Sequence, residues 1–427
     1  MRGITGIRTA GLKLKLPTLF IYVLLLLPAC SNTQQTSTKE KSVTAEFILG
    51  NPNYQAISYG GYRFNNRDQQ PSLSDFKEDL KLLAALDIKL LRTYNVHFPH
   101  ASNLLQAISE LKTEDPDFEM YVMLGAWIDC KNAWTGSPDH LAESERNPTE
   151  IATAVELANK YPDIVKIIAV GNEAMVKWAA AYHVQANVIL KWVTHLQELK
   201  SEGQLGKDVW ITSSDNFASW GGGSVEYHTP DLTKLIAAVD FISMHTYPMH
   251  DTHYNSDFWN LSSDQSTDTP KAQIDASMAR ALNYAQNQYK AVVDYMKKQG
   301  LDKPVHIGET GWASFSNGFY GANGSKACDE YKHSVYYDSM RKWTNDSGIS
   351  CFFFEAFDEP WKDAANSGRS ENHFGLFTVD GQAKFVLWDE VDEGAFKNLK
   401  RNGNAITKSY NGKEDDVMST SLPPPLK

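Results

Sequence analysis

Two glutamates each close a short apolar run. Val165–Val170 (VKIIAV) leads into Gly171-Asn172-Glu173, and Pro304–Ile307 (PVHI) leads into Gly308-Glu309-Thr310-Gly311-Trp312. Either glutamate alone would read as part of an ordinary solvated turn. Together, flanked by Asn and by Trp, they suggest a pair that works across one site. Two carboxylates about 5 Å apart can share the chemistry of an acetal carbon. One attacks as nucleophile while the other protonates the leaving oxygen and later activates water. Asn172 would sit beside the acid/base, where it can hydrogen-bond a neighbouring hydroxyl. A glycine before each carboxylate is expected to let the backbone approach a bulky ring.

Other chemistry-bearing residues follow further apolar runs. Tyr59 closes the first run, Arg92 and Tyr94 the second, and Trp127 follows the third. His245 and Tyr247 follow the sixth, and Glu355, Asp358 and Trp361 follow the last. Aromatic faces can stack on the apolar faces of sugars and leave hydroxyls to polar partners. Tyr59, Tyr94, Trp127, Trp134, Tyr247, Trp312 and Trp361 therefore read as a cleft for an extended glycan. For any one of them, core packing is an equal alternative. His245, His250 and His253 match no HExxH pattern, so neither a metal nor another cofactor is expected. His245 reads as a hydrogen-bonding wall of the pocket.

The elements that must position these residues are legible as eight short runs rich in β-branched residues: Gln55–Tyr59, Lys89–Tyr94, Glu119–Leu124, Val165–Val170, Val209–Ser213, Val239–Met244, Pro304–Ile307 and Ser350–Phe354. Helical spacing appears between them, at Phe76, Leu80 and Leu83 after a cap at Ser74, and from Val184 to Leu199. A third helix opens at Thr269-Pro270 and runs to Gly300. Alternating strand and helix implies a parallel sheet covered on both faces. Eight repeats suit a single α/β domain, a (β/α)8 TIM barrel, whose sites lie at the C-terminal strand ends. A doubly wound open sheet is the competitor, but Gly60-Gly61-Tyr62-Arg63 is no phosphate-binding turn.

The composition (427 residues, 42% hydrophobic, 22% charged) excludes a disordered or fibrous chain, and a net charge of -11 leaves no footprint for nucleic acid. Arg2, Arg8, Lys13 and Lys15 precede the apolar run Leu19–Leu27, too short to span a bilayer comfortably. It ends in Leu27-Pro28-Ala29-Cys30, which resembles a bacterial lipobox. A plain signal peptide or an uncleaved anchor is the alternative. Residues 1–29 are read as a lipoprotein signal peptide, and their removal takes the net charge to about -15. Residues 30–45 are read as lipidated Cys30 and a flexible tether, and 46–395 as the catalytic barrel. Residues 396–427, ending MSTSLPPPLK, are expected to be an unstructured tail. Cys130, Cys328 and Cys351 form neither a disulfide framework nor a zinc site.

From Ala56 to Phe385 the chain resembles the family 17 glycoside hydrolases, β-1,3-glucanases and β-1,3-glucanosyltransferases. The strongest segment is Val305-His306-Ile307-Gly308-Glu309-Thr310-Gly311-Trp312-Ala313-Ser314, and the second is Val170-Gly171-Asn172-Glu173. Tyr59-Gly60, Arg92-Thr93-Tyr94, Tyr247-Pro248, the segment from Glu355 to Trp361, and His373-Phe374-Gly375-Leu376-Phe377 are weaker matches. The resemblance implies a retaining mechanism without metal on linear β-1,3-glucan, with Glu309 as nucleophile and Glu173 as acid/base. Tyr59, Tyr94, Tyr247 and Glu355 would position the sugar and tune the carboxylates. Two departures from the family pattern, Ala313 after Trp312 and His245 before Tyr247-Pro248, leave fine specificity open. A glucanosyltransferase, an enzyme for another β-glycan and a glycan-binding lipoprotein without turnover are the alternatives. The expected state is a monomer, held at a bacterial membrane by its lipid alone, periplasmic or at the cell surface.

Overall fold

The computed structural model describes residues 43–427. The signal segment 1–29, Cys30 and the tether up to residue 42 lie outside the described residues. Eight parallel strands close into a barrel: β1 (Gln55–Ser58), β2 (Ile88–Arg92), β3 (Tyr121–Ala126), β4 (Val165–Asn172), β5 (Trp210–Asn216), β6 (Ile242–His245), β7 (Val305–Gly311) and β8 (Cys351–Phe354). Each pairs with its chain neighbours, and β8 closes on β1 through Ala56 with Phe352 and Ile57 with Phe353. The seven main helices are α1 (Leu73–Ala84), α2 (Pro99–Glu114), α3 (Asn147–Lys160), α4 (Ala186–Ser201), α5 (Pro230–Ala238), α6 (Pro270–Lys298) and α7 (Glu330–Asp346). The barrel reading holds, and all eight strand runs are strands.

Side chains alternate across each strand, so every strand feeds two cores. Ala56, Leu90, Met123, Ile167, Ala169 and Phe352 fill the barrel, while Ile57, Leu91, Val122, Ile168 and Phe353 face the helices. A short helix, Ala45–Ile48, supplies Ala45 and Ile48 to the inner core. The ordered domain therefore begins before residue 46, because these apolar side chains close the barrel floor. The cap of α1 is Ser72 rather than Ser74. Its hydroxyl accepts from the Asp75 amide, and the Asp75 carboxylate accepts from the Ser72 amide.

The expected disordered tail is a correction. Residues 396–427 carry short strand pairs and a helix, Glu414–Thr420, with Val417 fully buried. Arg401 is also fully buried, and its Nε donates to the Asp79 carboxylate of α1 at 3.0 Å. Arg63 and the Tyr59 hydroxyl bind the same carboxylate. Leu261 donates its amide to Pro425 at 2.8 Å and accepts from Lys427, which seats the last residues. The segment is fixed by a buried charge pair and single apolar residues rather than by an apolar run.

Candidate active site

On β7, Glu309 faces the barrel mouth while Thr310 faces outward, its hydroxyl bonded to Tyr336 of α7. Gly308 is required for a reason other than ring approach. A Cβ there would stand 2.0 Å from the Ser243 hydroxyl and 2.6 Å from that of Ser214. The Glu309 carboxylate is nearly buried, and both its oxygens are bound. Oε2 takes the Arg92 guanidinium and the Tyr94 hydroxyl (2.9 Å), and Oε1 takes the Tyr247 hydroxyl at 2.6 Å. Burial alone would raise its pKa. Neighbouring His245 and Arg92, with hydrogen bonds from Tyr247 and Arg92, instead hold it at about 2. Burial, and then the Glu309 charge, keep both tyrosines protonated and so able to donate.

On β4 the ladder to β5 shifts register between Ala169 and Asn172. Gly171 makes this possible with a φ of 81°, and Glu173 follows at 46°, also left-handed. The glycine is needed for backbone conformation, and the kink delivers Asn172 and Glu173 to the mouth. Asn172 Oδ1 accepts from Arg92 Nη2 at 2.5 Å, so one guanidinium orients both Glu309 and the residue beside Glu173. Glu173 is more open than Glu309, with a side chain 25% exposed against 10%. Its Oε1 lies 3.2 Å from His245 Nδ1, and His245 Nε2 lies 2.8 Å from the Ser214 hydroxyl. Asp215, which the sequence reading missed, supports this corner from below. It accepts from the Met175 amide at 2.7 Å and from the Ser219 hydroxyl at 2.6 Å, and burial lifts its pKa to about 6.

A cavity of about 770 Å³ opens beside Glu309. Of the expected binding residues, Tyr59, Tyr94, Trp127, Asn172 and Trp361 line it. Tyr59 contributes only its ring, since its hydroxyl is committed to Asp79. Arg92, His245 and Tyr247 act on the carboxylates, as described. Trp312 is a correction: it is fully buried against Trp259 and Tyr336, and its indole N–H donates to Ala327 at 2.8 Å. Asp358 is buried in a structural pair with Lys384 (2.6 Å); burial works to raise its pKa, but Lys384 and His373 together lower it. Glu355 is buried behind Lys362 (3.0 Å), and burial pushes its pKa well up. Lys362 itself reaches the cavity, as does Glu359, which binds the indole N–H of Trp361.

The sequence reading also missed Glu150, in the first turn of α3. Its carboxylate accepts from the Val96 amide (2.7 Å) and the Trp127 amide (3.0 Å), tying the loops after β2 and β3 into one cavity wall. An acid in a first helical turn is an N-terminal signal and carries no sign of that reach. Tyr62, Arg67 and Tyr182 line the cavity from loops with no periodic pattern.

Comparison with known proteins agrees with this architecture. An endo-laminarinase from Formosa Hel1_33_131, solved as a crystal structure, is 63% identical with a TM-score of 0.89, over 90% of this chain and 98% of its own. A glucan 1,3-beta-glucosidase of Arthroderma benhamiae is 23% identical over 73% of this chain and 83% of its own length. A probable glucan endo-1,3-beta-glucosidase btgC of Aspergillus terreus is 22% identical over 71% of this chain, which spans only 39% of that protein. The BtgE/BtgC glycoside hydrolase domain matches residues 56–375, most of the described barrel. On that match the chain belongs to the BtgE/BtgC glycoside hydrolase domain family.

Proposed function

We propose that the chain is a retaining endo-β-1,3-glucanase of glycoside hydrolase family 17, with Glu309 as nucleophile and Glu173 as general acid/base. The observation that carries this reading is the contrast between the two carboxylates. Glu309 is buried yet ionised, gripped by one arginine and two tyrosines. Glu173 is the more open of the two and is steadied by His245. The endo-laminarinase from Formosa, similar over nearly its whole length, supports a β-1,3-glucan substrate.

In this mechanism Glu309 attacks the anomeric carbon as the glycosidic C–O bond breaks, and the Glu173 proton passes to the leaving oxygen. Glu173 then takes a proton from water, whose oxygen displaces Glu309 from the glycosyl ester. Arg92 and the tyrosines hold the carboxylate in place during attack and stabilise it as it leaves. The test is product analysis on linear β-1,3-gluco-oligosaccharides, wild type beside Glu309→Gln, with the anomer followed by NMR. Shorter products of retained β configuration, absent from the variant, support the reading. Products longer than the substrate would make the enzyme a glucanosyltransferase, and α products would refute retention. The Leu27-Pro28-Ala29-Cys30 motif supports a lipid anchor on a bacterial envelope. Metabolic labelling with palmitate that persists in Cys30→Ser would refute it.

A further inference from the structure

The outer wall of the cavity is an aromatic group that the reaction at Glu309 does not use. One of its rings, Tyr182, comes from the loop between β4 and α4. The other two, Trp127 and Trp134, come from the segment between β3 and α3, where Cys130–Lys131 pairs antiparallel with Asp139–Glu143. Trp134, in the turn of this ribbon, has a φ of 64° and is 60% exposed. One face of its indole stacks on Tyr182, with centroids 4.9 Å apart and planes at 21°, and Trp127 stands 6.3 Å away. All three rings line the cavity that holds Glu309. A bulky side chain in a left-handed backbone and mostly in water gains the fold little.

The ring is nevertheless held rigidly. The Trp134 amide donates to Ala181 at 2.8 Å, and the Cys130 amide donates to Tyr182 at 2.9 Å. His140 Nδ1 lies 2.8 Å from the His183 carbonyl, and the two imidazoles stack at 3.6 Å and 9°. Glu143, at the end of the ribbon, binds the Trp192 indole N–H at 2.7 Å. Backbone strain kept in place by surrounding bonds is a mark of function. The cavity lining includes Glu309 and Asn172 but not Glu173. The sugar attacked by Glu309 therefore lies in the cavity. A volume of about 770 Å³ suits an oligosaccharide better than a single ring.

We propose that Trp134, backed by Tyr182, is a sugar-stacking platform at the exposed outer wall of the cavity, beyond the sugar that Glu309 attacks, that sets the chain length the enzyme uses efficiently. The proposal rests on the β-glucanase reading above. Its test compares initial rates of wild type, Trp134→Ala and Trp134→Phe on linear β-1,3-gluco-oligosaccharides of increasing length. Trp134→Ala is expected to lose about tenfold in kcat/KM on long chains, with the shortest cleaved chain unchanged and Trp134→Phe near wild type. Indole emission of Glu309→Gln titrated with the same sugars is expected to respond to long chains and to lose that response when Trp134→Ala is added. Equal loss at every length would overturn the proposal, since it would mark general damage to the loop. No loss at any length would overturn it as well. Failure of wild type to cleave any of these sugars would strike the substrate reading first and this proposal with it.

Discussion

The grip on Glu309 makes Tyr247→Phe an informative change, because it deletes one hydroxyl and leaves the ring. That hydroxyl donates to Oε1 at 2.6 Å, while Arg92 and Tyr94 serve Oε2. A hydrogen bond to a charged acceptor contributes about 1.5–3 kcal/mol. At about 1.4 kcal/mol per pKa unit, the carboxyl would rise by roughly one to two units, from about 2 to about 3–4. Arg92 remains, so Glu309 stays ionised at neutral pH. Any loss of kcat there reports a poorer leaving carboxylate, expected at about tenfold. The acid limb of the rate profile should then move up by one to two units. The folding contribution of this depressed carboxyl is full above its ordinary value of 4.5 and is lost as pH falls towards 2. In the variant that loss begins at the same pH but is smaller and is complete sooner as the pH falls. Initial rates on a soluble β-1,3-oligosaccharide between pH 3 and 8, with circular dichroism at each point, separate chemistry from unfolding. An acid limb that does not move would refute the claim that Tyr247 sustains the ionisation of Glu309.

Four further outcomes follow from the same contacts. Glu309→Ala should lower stability as well as activity, by about 3 kcal/mol, because it strands the fully buried Arg92; an unchanged melting temperature would contradict this, and Glu309→Gln should be milder. Burial holds His306 at about 4, so its contribution to stability is full above pH 6.5 and is lost as pH falls to about 4, by roughly 3 kcal/mol. Urea midpoints at pH 7.5 and 4.5 should therefore differ, and less so in His306→Gln. Trp312→Phe should cost about 1–3 kcal/mol and leave KM unchanged, as expected of a core residue. Arg401→Met should cost about 3 kcal/mol in thermal unfolding by weakening the partnership of Asp79.

The barrel was legible because its strands are apolar on both faces and its helices are periodic. The strand ends were less so. β4, β5 and β7 run on to Asn172, Asn216 and Gly311, past the points where hydrophobicity stops. There the ladder continues while polar side chains face the mouth, so the apolar signal fades where the site begins. The two glutamates were visible for the same reason. Trp312 was misplaced although the period of two was available: three residues after Glu309, it falls on the opposite face, with Thr310 and Tyr336. Asp215 and Glu150 could not be read, because their importance lies in contacts with distant loops, whereas Trp134, named among the cleft aromatics, does line the cavity. The C-terminal segment was misread because it buries charge, which composition counts as a sign of disorder.

The contact between Arg401 and Asp79 joins positions 322 residues apart, and this bears on how the protein is made. A chain emerging from a ribosome presents α1 long before Arg401. Until then the Asp79 carboxylate has only Arg63 and the Tyr59 hydroxyl, in a place that must be sealed from water. The barrel thus reaches its final stability only once Arg401 has emerged. A product that stops before Arg401 leaves Asp79 with Arg63 as its one charged partner, and is expected to open more often and to be cut sooner by proteases.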